Sequence, residues 1–210
     1  MNLASFYQRY LREWRPRTLA WFSRALYVTR NVRIGDGFRT DGLPRILVDD
    51  GASLEIAERV EFRSGVEIRV HGTARVRIGP GVRIDRGVRI LAANAAVVSI
   101  GAGARIGLYS VLNGGDSITV GDAALVSGFV YLQTSMHAHE STATAIRDQG
   151  YVHGPVVVGA GAWLAAHVVV MPGVHVGDGA VVGSNGVVTR DVEAGHVVAG
   201  VPAKTIKVRE

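Results

Sequence analysis

An aliphatic residue recurs every six positions over most of this chain, and that recurrence predicts its architecture. The series runs Ile56, Phe62, Ile68; Ile78, Ile84, Ile90; Ile100, Ile106, Leu112; and Val120, Val126, Leu132. After a break it resumes as Val158, Leu164, Val170 and Val176, Val182, Val188. Most repeats carry a small or β-branched residue four positions on, as at Val60, Val82, Ala104, Ala124, Ala162, Val168 and Ala180. A period of six fits neither a 3.6-residue helix nor a long alternating strand. It fits short strands joined by tight turns, three to a coil, with coils stacked about 4.8 Å apart into a triangular prism. The expectation is an all-β fold, a parallel β-helix of about six or more 18-residue coils spanning 32–193. The regular units are 56–73, 78–95, 100–117, 120–137, 158–175 and 176–193, with 32–55 as irregular first rungs and 194–210 as a C-terminal cap.

Residues 1–31 follow a different rule. Phe6, Tyr7, Tyr10, Leu11 and Trp14 recur at helical spacing, Pro16 interrupts, and Leu19, Trp21, Phe22 and Leu26 follow. Six arginines stand against one acid, Glu13. Two readings compete: a helical cap over the open end of the prism, or a basic, aromatic segment lying on an anionic membrane surface.

The interruptions of the repeat locate the candidate chemistry. Residues 74–77, 96–99, 118–119 and 138–157 all follow the third hexad of a coil, so they are expected to emerge along one edge. His137 closes the fourth unit at that edge, and the loop 138–157 leaves from it. An imidazole with an ordinary pKa near about 6.5 can accept a hydroxyl proton at neutral pH, which makes His137 the candidate general base. With no cysteine and no evident serine nucleophile, a covalent intermediate on either is not expected. Asn113 and Asp116 end the preceding coil at the same edge and could hold an acceptor, with turn capping as the alternative. His139 is a further candidate for the acceptor, and Glu140 either orients His137 or is a plain loop acid.

Composition narrows the classes. No run approaches 18 uncharged apolar residues, so no spanning helix is expected, and the N-terminal arginines interrupt any signal-peptide core. Zero cysteines exclude a disulfide framework or thiolate zinc site. These features fit a cytoplasmic protein, with contact to the inner membrane if the N-terminal segment binds lipid. A net charge of +5 points to anionic partners. No helix-turn-helix, finger or RNP-like pattern suggests nucleic acid. No metal is expected, because the His-x4-His pair of a zinc prism is absent. Arg77, Arg83 and Arg89 share one hexad position and read as a solvated ring, or as a contact for acidic polymers.

Two segments resemble a known family. Ile118-Thr-Val-Gly-Asp122 through Val130-Tyr-Leu-Gln-Thr-Ser-Met-His137 resembles the approach to the catalytic histidine in hexapeptide-repeat O-acetyltransferases of the galactoside, maltose, nodulation-factor and colanic-acid type. Val158-Gly-Ala-Gly-Ala-Trp163, Met171-Pro-Gly-Val, Val188-Thr-Arg-Asp191 and Val198-Ala-Gly-Val-Pro-Ala-Lys204 resemble their acetyl-CoA-binding end. The resemblance implies a left-handed helix, acetyl-CoA as acyl donor, a sugar acceptor and a homotrimer with sites between neighbouring prisms. It places Arg190, Lys204 and Lys207 at the nucleotide end of the cofactor. It sets Ser184 and Thr189 against the pantetheine and adenine ends and Ala166 beside the thioester. Trp163 is a packing or pantetheine-wall residue. Backbone N–H groups of the 163–166 turn are the candidates for the oxyanion. An N-acetyltransferase of an amino-sugar nucleotide, a xenobiotic acetyltransferase and a non-catalytic structural prism remain as alternatives.

Overall fold

The computed structural model describes residues 2–210 and shows a left-handed parallel β-helix of seven coils behind an N-terminal helical segment. Three parallel sheets form the walls. The first wall stacks Val32–Ile34, Ser53–Ile56, Arg75–Ile78, Val97–Ile100, Ile118–Val120, Val156–Val158 and His175–Val176. The second runs from Arg39–Thr40 to Val181–Val182, and the third from Arg45–Val48 to Val187–Val188. Because each hexad aliphatic faces the axis, Ile56, Ile78, Ile100, Val120, Val158 and Val176 pair in one continuous ladder and are all buried. The small residues four positions on, among them Val60, Ala104 and Ala162, are buried as well, filling the crowded corners.

Two expectations need correction. The coils are not uniformly of 18 residues: Ile56 pairs with Ile78 and Ile78 with Ile100, an advance of 22. The residues read as insertions at 74–77, 96–99 and 118–119 do not protrude. They lie in or beside strands of the first wall, Arg75–Ile78, Val97–Ile100 and Ile118–Val120, so three of the four interruptions widen the prism. The irregular stretch 32–55 also contains a complete first coil. Its pattern was hidden because buried Thr40 holds an aliphatic position, its hydroxyl donating to the Gly42 carbonyl, with Phe38 packed edge-on to Phe62 beside it.

Of the interruptions, only the one read as 138–157 leaves the prism among the described residues, and it leaves earlier than expected, with Val156 and Val157 already back in the first wall. Ser135–His137 already pairs antiparallel with Tyr151–His153, so His137 belongs to a hairpin and not to the coil. At the C-terminal end, His196–Gly200 adds to the second wall in parallel and Ala203–Val208 returns antiparallel on it. At the other end, α1 (Leu3–Arg9), a π turn (Tyr10–Trp14) and α2 (Arg15–Tyr27) form the helical segment. α2 sits against the first coil: the Tyr27 hydroxyl donates to the Pro44 carbonyl at 2.7 Å, and Arg39 reaches the Arg12 carbonyl at 2.8 Å.

Candidate functional site

The hairpin is rooted by one buried hydroxyl. Thr134, fully buried, donates to the Asn113 carbonyl of the coil before it at 2.6 Å and accepts the Asp116 N–H at 3.0 Å. Its own carbonyl accepts the Gly154 N–H at 2.9 Å, where the hairpin returns. Gly154 leaves no room for a side chain, since a Cβ there would lie 2.6 Å from the Gly173 nitrogen. The exit and return of the hairpin are therefore clamped to the edge between the third and first walls.

On this clamp the His137 ring is exposed to solvent and faces Tyr151, its cross-strand partner, with centroids 4.4 Å apart at 33°. Tyr151 in turn lies 6.2 Å from His153, and the His153 ring borders Gly115. Neither Tyr151 nor Thr134 was singled out from the sequence. Tyr151 becomes visible only once the hairpin register is known, and Thr134 looks like any strand threonine. Glu140 does not orient His137: its carboxylate accepts the backbone N–H of His139 at 3.0 Å. The His139 ring is likewise engaged locally, Nδ1 lying 3.0 Å from the His137 carbonyl. Asp116 caps the following turn, accepting the Ser117 N–H at 2.6 Å, while the Asn113 side chain has no hydrogen-bond partner among the described residues.

The residues expected around the cofactor fall into two groups. Ala166 and Ser184 stack at the edge between the second and third walls, linked by the Asn185 N–H donating to the Ala166 carbonyl at 3.0 Å. Trp163 lies on the adjoining second wall, half-exposed, with its indole N–H donating to Ser127 at 3.0 Å. Lys207 and Arg209 from the final strand region border the same groove as Trp163, and Lys204 lies exposed on that strand. Thr189 and Arg190 stand apart, exposed beyond the third wall on the His137 edge. Of the candidate oxyanion donors, the Trp163 and Ala165 N–H groups are spent in the ladder at 2.8 and 2.9 Å. The Ala166 N–H has no acceptor among the described residues and remains available.

The third wall thus separates His137 from Ala166 and Ser184, so one chain does not bring the candidate base and the candidate thioester residues to one edge. At the same edge as Ala166, rings stack: Tyr109 on Phe129 at 5.5 Å and Phe129 on His167 at 4.8 Å, all three on left-handed backbone with φ of 54°, 59° and 60°. His167 is accounted for by this stack. No group of residues fit to hold a metal ion occurs among the described residues.

This is a prism with an imidazole on a protruding hairpin, and comparison with known proteins shows what it is similar to. Residues 155–190 match the family model described as Bacterial transferase hexapeptide (six repeats). The chain is 35% identical to the galactoside O-acetyltransferase of Escherichia coli (strain K12) over 43% of its own length and 44% of that protein's. It is 36% identical, over 51% of its own length and 54% of the other's, to an Escherichia coli (strain K12) chain provisionally named colanic acid biosynthesis acetyltransferase WcaF. The matched segments thus span about half the length of these relatives. Among solved folds, the polySia specific acetyltransferase NeuO superposes with a TM-score of 0.66 at 22% identity, covering 88% of this chain and 83% of that one, a likeness of fold. The resemblance to hexapeptide-repeat acetyltransferases expected from the motifs is therefore found in the family match, in the relatives and in the fold.

Proposed function

We propose that this chain is an acetyl-CoA-dependent O-acetyltransferase acting on a sugar hydroxyl, in the cytoplasm and in the service of bacterial surface polysaccharide. The observation that carries the reading is the exposed His137 ring, held on the one hairpin that leaves the prism and rooted there by Thr134. The similarity to a galactoside O-acetyltransferase supports the acceptor class, and the provisional name WcaF supports the polysaccharide role.

The chemistry follows from the groups present. A ring nitrogen of His137 takes the acceptor hydroxyl proton as that oxygen attacks the thioester carbon. The Ala166 N–H, free of other acceptors, donates to the tetrahedral oxyanion, and its methyl side chain leaves space beside the carbon. As the C–S bond breaks, the imidazolium returns the proton to the departing thiolate. Trp163, Lys207 and Ser184 line the path from that corner along the second wall, with Lys204 a cation for the nucleotide end; Thr189 and Arg190, on the His137 edge, reach that nucleotide only from a neighbouring copy. Because the third wall separates the two halves, His137 of one copy works with Ala166 of a neighbour, which makes a homotrimer the working unit.

The test is thiol release from acetyl-CoA against a panel of sugars, an amino-sugar nucleotide and a hydroxyl-bearing antibiotic, with wild type and His137→Ala. Turnover on a sugar hydroxyl, falling by about 10²–10⁴ in the variant, is expected. Turnover on the amino-sugar nucleotide or antibiotic alone replaces the acceptor. No turnover on any of them, or full activity in His137→Ala, ends the proposal.

A further inference from the structure

The helical segment is built inside out. In α2, Pro16, Ala20 and Ser23 are buried against the first coil, with Tyr27 half-buried at spacing i, i+4, i+7, i+11. Trp14, Thr18, Trp21 and Ala25 repeat the same spacing two residues earlier, and all four are exposed. Two residues are roughly 200° of helix, so the large rings stand on the opposite face. Phe22 and Leu26 widen that face, and Trp21 and Leu26 keep 64% and 61% of their surface in water. In α1 no residue is buried, and Leu3, Phe6, Tyr7 and Tyr10 are exposed as well. A cap needs only the small-residue face; the outer face contributes nothing to it.

Charge identifies the occupant. Glu13, the one acid of residues 1–31, is tied to Arg9 at 3.1 Å, and Arg24 is paired with Asp36 at 3.4 Å. Arg12, Arg15 and Arg17 have no acidic partner among the described residues and flank the rings on the same segment. Indoles and phenols with a polar edge, bordered by long cationic side chains, suit the boundary of acyl chains and headgroups. No helix among the described residues is long and apolar enough to cross a membrane, so the segment would lie in the plane.

We infer that the outer face of residues 3–27 docks this protein on an anionic lipid surface. The helices rest on the first coil and the His137 hairpin leaves the fifth, so docking holds the hairpin about 20 Å beyond the first coil, four coil spacings away, with the helix layer between that coil and the lipid.

The test is flotation of the full chain with mixed phosphatidylcholine–phosphatidylglycerol vesicles and with pure phosphatidylcholine vesicles. Binding at least about tenfold stronger to the anionic vesicles, weakened by salt and accompanied by a blue shift of tryptophan emission, is expected. Trp21→Ser/Leu26→Ser and Arg12→Gln/Arg15→Gln/Arg17→Gln should each remove most of that binding while the β circular dichroism and thermal midpoint stay as in wild type. Absence of binding to anionic vesicles, or binding that survives both variants, overturns the inference. A concentration-dependent rise in mass that Trp21→Ser/Leu26→Ser abolishes, without vesicle binding, assigns the face to a second copy and overturns it too. None of these outcomes depends on acetyl transfer.

Discussion

At the residue scale, the proposed chemistry depends on a side chain that performs none of it. Thr134 spends its hydroxyl twice inside the protein, and both bonds hold the hairpin root. Thr134→Val keeps the shape but strands the Asp116 N–H and leaves the Asn113 carbonyl only the backbone N–H of residue 134 at 3.3 Å, which costs about 1–3 kcal/mol. The expected result is a lowered thermal midpoint together with a fall in kcat, because His137 is no longer held in place. Thr134→Ser, which keeps the hydroxyl, should restore most of both. Tyr151 is expected to act on ring position: Tyr151→Ala should leave stability within about 0.5 kcal/mol, since the site is exposed, yet lower kcat by loosening the imidazole packed on it. Kinetics and thermal melts on the two variants separate these effects.

At the element scale, the walls show what the sequence could disclose. The hexad pattern exposed the coils because each aliphatic has one environment, the axis, and no side chain elsewhere imitates it. The same pattern misplaced the extra residues, since a four-residue insertion that lengthens a strand and one that forms a loop look alike in spacing. Register decides, and register is set by partners far along the chain. The arginine ring is a second case. Arg83 and Arg89 are not free cations: Arg83 lies 3.4 Å from Glu61, and Arg89 lies 3.6 Å from Glu67, which also faces Arg45 at 3.7 Å and Arg69 closely. A spacing of 22 stacks Arg45, Glu67 and Arg89 in one ladder, an arrangement invisible at a period of 18. Glu67→Gln should leave three neighbouring guanidinium groups without their shared carboxylate and cost about 1–2 kcal/mol, less at high salt. Gly154→Ala tests the hairpin return: the Cβ forced against Gly173 should destabilise by about 1–3 kcal/mol. Denaturant titration reads both.

At the scale of the whole molecule, the separation of His137 from Ala166 by a full wall makes a quantitative demand. His137→Ala removes the base, and Ala166→Trp would block the slot, so each homomeric variant should be inactive. If sites form between copies, refolding the two together leaves roughly one quarter of the interfaces with both native residues and restores about that share of activity. Light scattering should give about three times the 22.3 kDa chain mass. Recovery near zero would place the whole site within one chain. The expectation of a site shared between copies came from resemblance alone; spacing put His137 on an edge and was silent about what faces it.

The prism also has two ends, and an end of stacked strands is an unfinished ladder of N–H and C=O groups inviting another to continue it. Ala203–Val208 turns back antiparallel over one of them, and the small-residue face of α2 lies across the other. A chain trimmed to begin at Val32 would keep every coil and lose that stopper. Its first strands should then pair with those of a second molecule, and light scattering with electron microscopy should show end-to-end doublets, halted there by the covered far ends, from a protein whose circular dichroism is still that of the intact fold.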